Sequence, residues 1–261
     1  MKVSDIISRL EQIAPPHLQE SYDNAGLITG HPDQEVTGVL FSLDAIETVV
    51  DEAIQKGCNL IVSHHPIVFR GLKRFNGANY VERTVIKAIR HEIALYAIHT
   101  NLDNVLHRGV NERIAQRLGL QNIQILAPKA GMPDIGAGIT GSLPQPMNEL
   151  DFLHQIKTAM HTRCIRHTAL TGKMVQKIAV CGGSGSFLLS DAVKAGADVF
   201  ITADFKYHEF FDADHHIVIA DIGHYESEQF TIPLLFEIIS EKFPNFALHL
   251  TGVNTNPVHY L

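Results

Sequence analysis

Residues 39–66 read VLFSLDAIETVVDEAIQKGCNLIVSHHP, and residues 178–204 read IAVCGGSGSFLLSDAVKAGADVFITAD. Each stretch is an apolar run, a short turn, a segment at helical spacing, a small-residue turn with glycine and a second apolar run. The first copy places strands at 39–44 and 60–63 around a helix over 46–55; the second places them at 178–183 and 199–202 around a helix over 187–194. Laid over each other without a gap, Ala53 falls on Ala192, Gly57 on Gly196, and the run from Leu60 to Ser63 on that from Val199 to Thr202. Each copy then passes through a further helix-like stretch into another apolar run, 94–98 in the first and 217–220 in the second. This β-α-β-α-β order is the alternation of a parallel sheet covered by helices, so the expected fold class is α/β, built as two pseudo-repeated lobes.

Between the copies, residues 127–148 are rich in Gly and Pro and read as a crossover loop, dividing the chain into lobes at 1–126 and 127–261. Gly136-Ala137-Gly138-Ile139-Thr140-Gly141 is a formal GxGxxG match, but prolines flank it where a dinucleotide site needs a strand before and a helix after. At the N-terminus, Ile6, Ile7, Leu10 and Ile13 repeat at helical spacing among charges, with Ser4 as the expected cap. That pattern is neither a signal peptide nor a membrane span.

The length of 261 residues suits one large domain or two modest ones, at about 150 residues per domain. With 45% hydrophobic residues the chain has enough apolar material for a substantial core. Lys and Arg number 21 against 28 Asp and Glu, a net charge of -7 that argues against a phosphate-backbone partner. The three cysteines, Cys58, Cys164 and Cys181, show no CxxC spacing and read as buried thiols in a reducing compartment, which points to the cytoplasm. Sixteen histidines make metal binding the first chemistry to test.

Ligands of parallel α/β sheets gather beyond the carboxyl ends of the strands. After Leu60-Ile61-Val62-Ser63 comes His64-His65-Pro66, a histidine pair that can address one pocket where the chain turns. After the strand at 94–98 comes His99-Thr100-Asn101-Leu102-Asp103. If the strand persists, His99, Asn101 and Asp103 share a side, with Asp103 a plausible ligand and His99 an orienting or a packing group. The strand at 217–220 leads into His224 and Glu228, four apart and on one face if the chain is helical, with the helix kinking or restarting near Pro233. Superposing the two late strands lays Asp103 over His224. Asp204 and His208 follow the strand at 199–202 as acid/base groups, as supports for a ligand, or as an ordinary helix cap.

The set His64, His65, Asp103, His224 and Glu228 offers nitrogen and oxygen donors and no thiolate, which fits a structural zinc badly. Two divalent ions about 3.5–4 Å apart fit it better. Fe, Zn, Mn, Co and Ni all accept such donors.

Six motifs occur in one order: Asp23-Asn24-Ala25-Gly26-Leu27, Ser63-His64-His65-Pro66, His99-Thr100-Asn101-Leu102-Asp103, Gly182-Gly183-Ser184-Gly185, Thr202-Ala203-Asp204 with His208, and Gly223-His224 with Ser227-Glu228. Together they resemble the Nif-like dinuclear metal-centre proteins, the type 2 homologues of GTP cyclohydrolase I, across essentially the whole chain. The resemblance implies two related α/β lobes enclosing a di-metal cleft, two divalent ions per subunit and a toroidal homohexamer. It implies His65 and Asp103 on one ion, His64 and His224 on the other, and Glu228 bridging. The resemblance also leads one to expect Gly in place of Ala203. The implied activity is water opening the guanine imidazole ring of GTP with release of formate, Asp204 or His208 moving protons. No P-loop cradle for a triphosphate accompanies it. The alternatives are a phosphoesterase or peptidase using the same ions, and a non-catalytic oligomer that stores or delivers metal or serves as a scaffold.

Overall fold

The computed structural model describes residues 1–261 and separates into two compact units, Met1–Leu102 with Thr231–Pro257 and Asp103–Phe230 with Val258–Leu261. In chain order the elements are α1 (Val3–Glu11), β1 (Gly26–Thr29), β2 (Val39–Ser42), α2 (Glu47–Lys56), β3 (Leu60–Ser63), α3 (Tyr80–Arg90), β4 (Ala94–Ala97), the single turn α4 (Thr100–Asp103), α5 (Val110–Leu118) and β5 (Gln121–Lys129). They continue as β6 (Met132–Asn148), α6 (Glu149–Ala159), β7 (Arg166–His167), β8 (Met174–Ser184), α7 (Leu189–Lys194), β9 (Val199–Ala203), β10 (Val218–Asp221), α8 (His224–Glu228), α9 (Thr231–Lys242) and β11 (Leu248–Leu250). The units do not follow a single cut at residue 127, because the chain enters the second at Asp103 and returns to the first at Thr231.

In the first unit the strand order is β1-β4-β3-β2-β11, with β4, β3, β2 and β11 parallel and β1 antiparallel at one edge. Every residue of β2, β3 and β4 is buried, as a parallel sheet covered on both faces requires. Leu40, Ile61 and Leu95 pack with Val49, Val50, Val85 and Ala88 of α2 and α3. The opposite face carries Phe41, whose ring meets Phe236 of α9 edge-on at 6.0 Å. The N-terminal helix buries Val3, Ile6 and Leu10. Ser4 lies inside that helix and does not cap it; the cap position is Lys2, whose amide donates to Asp5 Oδ2 at 2.7 Å.

The second unit has strand order β5-β6-β8-β9-β10-β7. Here β8, β9 and β10 are parallel, while β5, β6 and β7 join antiparallel. One face packs Ala179, Phe200 and Ile219 against Leu188, Leu189 and Ala192. The stretch 127–148 is not a crossover loop: it forms the end of β5 and the 17-residue β6. Its glycines and prolines serve the strand. A Cβ on Gly136 would lie 2.2 Å from the Ala127 carbonyl oxygen, so only glycine lets β6 approach β5 there. Pro144 and Pro146 fall where the β6–β8 register shifts, at positions that supply no ladder donor.

The repeat holds at the strands, since Val39 pairs Leu60 and Ile178 pairs Val199 at the spacing the ungapped alignment requires. The late strands differ from expectation: Leu60 pairs Ala94 and Val199 pairs Val218, so Asp103 corresponds to Ser227 and not to His224. The second connecting helices differ as well, α3 having for counterpart only a 3-10 helix, Tyr207–Ala213. Cys58 and Cys181 are buried as expected, whereas Cys164 is exposed. No helix is long and apolar enough to cross a membrane.

Candidate metal centre

In the first unit three histidines converge where β3 and β4 end. Pro66 ends the extended run, and the chain turns at His64 and His65 so that both side chains address one region. One ring nitrogen from each of His64, His65 and His99 lies within 4.8 Å of the others, with ring centroids 4.9 to 5.3 Å apart. Each ring is held through Nδ1. His64, fully buried, donates to the Ile98 carbonyl at 2.9 Å; His65 donates to Asp44 Oδ1 at 2.8 Å; His99 donates to Asp23 Oδ1 at 2.8 Å.

Those carboxylates are themselves fixed. Asp44 Oδ2 accepts from the Thr255 hydroxyl at 2.5 Å, and Asp23 Oδ2 accepts from the Thr100 amide at 3.0 Å and its hydroxyl at 2.5 Å. Burial opposes the charge on Asp23, but the hydrogen bonds from His99 and Thr100 outweigh it and bring its pKa down to about 2. Burial likewise opposes the charge on Asp44, and His65 and Thr255 hold it below the usual carboxylate range.

In the second unit β10 runs into α8 at His224. His224 Nδ1 donates to Asp204 Oδ2 at 2.6 Å, and Nε2 lies 3.1 Å from Glu228 Oε2, the i,i+4 geometry expected of a helical turn. Burial opposes a charge on this imidazole, but Glu228 and Asp204 overcome it and push its pKa up to about 11. Glu228 is buried. It fits because Gly183, at φ +63, has no side chain: a Cβ there would lie 2.4 Å from Glu228 Oε1. The β8–β9 register shifts between Val180 and Ser184, so the repeat is interrupted at these glycines. Ser227 Oγ accepts from the Gly183 amide at 2.9 Å and donates to the His224 carbonyl at 2.8 Å.

Asp103 ends the turn α4 and does not continue an alternating strand with His99 and Asn101. Asn111 ties it to the glycines, donating to the Asp103 carbonyl at 3.1 Å while accepting from the Gly182 amide at 2.9 Å. Burial raises the pKa of the Cys181 thiol, and the charges of Asp103 and Glu228 raise it further, so both carboxylates act on the same end of β8.

Asp204 is not a helix cap; it takes a left-handed backbone at φ +60 and orients His224, while Lys206 occupies the cap of the 3-10 helix. His208 is exposed on that helix, with its ring against Tyr207 and Phe211. The sequence reading passed over Asp44, although it stands at the exit of β2 and the strand-end rule that found the others applies to it. Asn111 had no such signal, since a buried amide carries none in sequence, and Ser227 entered only within the Gly223-His224 and Ser227-Glu228 motif, without a role.

Parallel strands ending in imidazoles and carboxylates, each imidazole oriented through Nδ1, define an α/β protein of two units carrying groups that could hold a metal ion. The chain belongs to the Duf34/NIF3 (NGG1p interacting factor 3) family, whose model matches residues 1–257. It is 35% identical to a Clostridium perfringens protein named GTP cyclohydrolase 1 type 2 homolog, over 93% of this chain and 91% of that one. A Clostridium acetobutylicum protein of the same name is 32% identical over 98% and 94%. Among solved structures, a Staphylococcus aureus hypothetical protein superposes with TM-score 0.92 at 33% identity, covering 100% of this chain and 99% of that one. A Bacillus cereus protein related to NIF3 gives TM-score 0.92 at 26% identity with the same coverage.

Proposed function

We propose that this protein is a dinuclear metal-dependent hydrolase of a nucleotide-like small molecule. His65 and Asp103 would hold one divalent ion and His64 and His224 the other, with Glu228 bridging. What carries the reading is the donor chemistry: His64, His65 and His224 each commit Nδ1 to an oxygen of their own unit, so a metal would be bound through Nε2. Glu228 adds a buried carboxylate beside His224, and with Asp204 it favours the cationic imidazole, which supports the reading of this position as one suited to positive charge. The donors suit Fe, Zn, Mn, Co or Ni.

When bound, paired ions supply Lewis acidity and bring the pKa of a coordinated water toward neutrality. The protein's residues do the rest. Asp44 and Asp204 keep the rings of His65 and His224 oriented, Gly183 leaves room for Glu228, and Asp204 and His208 are the groups proposed to carry protons at the exit of β9. The names of the Clostridium relatives make opening of the imidazole ring of GTP by water the first reaction to test. A homohexamer is the proposed assembly, checked by light scattering for a mass six times that of the chain.

The deciding experiment is metal analysis of protein purified without supplement, followed by turnover of GTP, related nucleotides, phosphoesters and peptides. Two ions per chain, with turnover abolished in a folded Glu228→Ala protein, is the expected result. Metal-replete protein that leaves the whole panel untouched defeats the catalytic reading.

A further inference from the structure

Asp221, the last residue of β10, is almost completely buried and belongs to neither the proposed ligands nor the proposed proton carriers. A carboxylate in that position needs compensation, and its partners are specific. Oδ2 accepts from the Phe205 amide at 3.0 Å and pairs with the Arg166 guanidinium, while Oδ1 accepts from the Gly223 amide at 3.2 Å. Phe205 directly follows Asp204, and Gly223 directly precedes His224. One side chain therefore grips both chain segments that present the Asp204–His224 hydrogen bond.

The Asp204 segment is not held at that point by regular structure, and the His224 segment is only beginning α8, with Gly223 at its cap. Asp204 sits in the left-handed region, which a residue with a Cβ adopts only under constraint, and the ladder between β9 and β10 ends at Thr202 and Asp221. Arg166 reinforces the grip from the other side, donating also to the Phe205 carbonyl at 3.0 Å. The ring of Phe205 is anchored in the apolar cluster with Phe200 and Ile219.

We infer that Asp221 is a positioning residue: it sets the β9 and β10 exits so that Asp204 fixes the His224 ring for metal ligation. The ligation half of this statement rests on the metal-centre reading above; the ring-fixing half does not.

The test uses the full chain and two readouts. In metal-free protein, NMR follows the His224 Nδ1 proton, with Asp204→Asn identifying its signal. Wild type should show it protected from exchange, and Asp221→Asn should lose that protection. Cobalt(II) titration by absorbance then measures affinity, expected to fall about ten- to a hundredfold in Asp221→Asn. Ile217→Val, a trimming of the core beside β10, should leave both readouts as in wild type. If Asp221→Asn does not fold, Arg166→Gln takes its place, with a smaller fall of the same kind expected. Wild-type protection and cobalt affinity in the variant would overturn the inference, as would an equal loss in Ile217→Val. If wild-type protein takes up no cobalt, the metal-centre reading fails, and the proton comparison still decides whether Asp221 fixes the ring.

Discussion

The two units support their histidines in different ways. In the first, three imidazoles crowd together and the carboxylates of Asp23 and Asp44 stand behind them, each reaching only an Nδ1. In the second, a single imidazole lies between two carboxylates, Asp204 at Nδ1 and Glu228 at Nε2. At the strand exits the first copy has a carboxylate, Asp44, that orients a ring, whereas the second has a register shift and Gly183, which leaves room for Glu228. The two sheet ends are thus specialised by what each adds or omits. In the first unit the acids serve orientation; in the second they also supply charge, which favours a proton on His224.

Exchanging these roles should produce the largest effects. Glu228→Ala removes the buried carboxylate beside His224, and metal content by elemental analysis should drop to traces while circular dichroism stays that of a folded chain. Asp44→Ala removes only an orienting group, so affinity should fall about ten- to a hundredfold with stoichiometry retained once metal is raised. Equal losses in the two variants would erase the distinction. Gly183→Ala tests the gap itself. With φ +63 and a Cβ 2.4 Å from Glu228 Oε1, it should destabilise by about 1–3 kcal/mol in urea unfolding. Gly57→Ala, also left-handed but with open space around its Cβ, should cost about 1 kcal/mol and leave metal affinity alone.

The halves should also fail at opposite ends of the pH scale. Asp23 has its pKa lowered from 3.8 to about 2, so its contribution is present above pH 3.8 and disappears as pH falls through 2, about 2 kcal/mol in all. His224 is raised from 6.5 to about 11, so its contribution is full below pH 6.5 and is lost as pH rises through 11. Urea unfolding of metal-free protein across this range should show both wings. Asp23→Asn should flatten the acid one and Glu228→Gln the alkaline one. Metal affinity should rise with pH over the interval in which His224 gives up its proton.

The parts of this arrangement visible in sequence were those fixed by strand exits. His64, His65, Asp204 and His224 each follow an apolar run, and a run of strand residues states by itself where it ends. Asp103 was singled out too, but the repeat laid it three residues out of register, because the lengths of apolar runs do not fix how parallel strands pair. The return of α9 and β11 to the first sheet was not legible: Leu248–Leu250 is three residues long, and its pairing with β2 is a long-range choice. The prolines of β6 misled for a physical reason, since composition reports missing donors but not whether a ladder has a shifted register to absorb them.

His208 should give the smallest effect, and it sharpens the comparison where the two copies diverge most. The first copy joins β3 to β4 through the regular helix α3, whereas the second joins β9 to β10 through the 3-10 helix that carries His208. If the second unit contributes proton transfer as well as charge, His208→Ala should lower kcat about tenfold, the modest size reflecting an exposed group that water can partly replace. Metal content should be unchanged, and Tm should barely move, because the ring's contacts are with the exposed rings of Tyr207 and Phe211. Asp204→Asn should instead lower both kcat and metal affinity, since it acts through the His224 ring. A His208→Ala protein with wild-type kcat would remove His208 from the chemistry, leaving Asp204 as the proposed proton-handling group at the exit of β9.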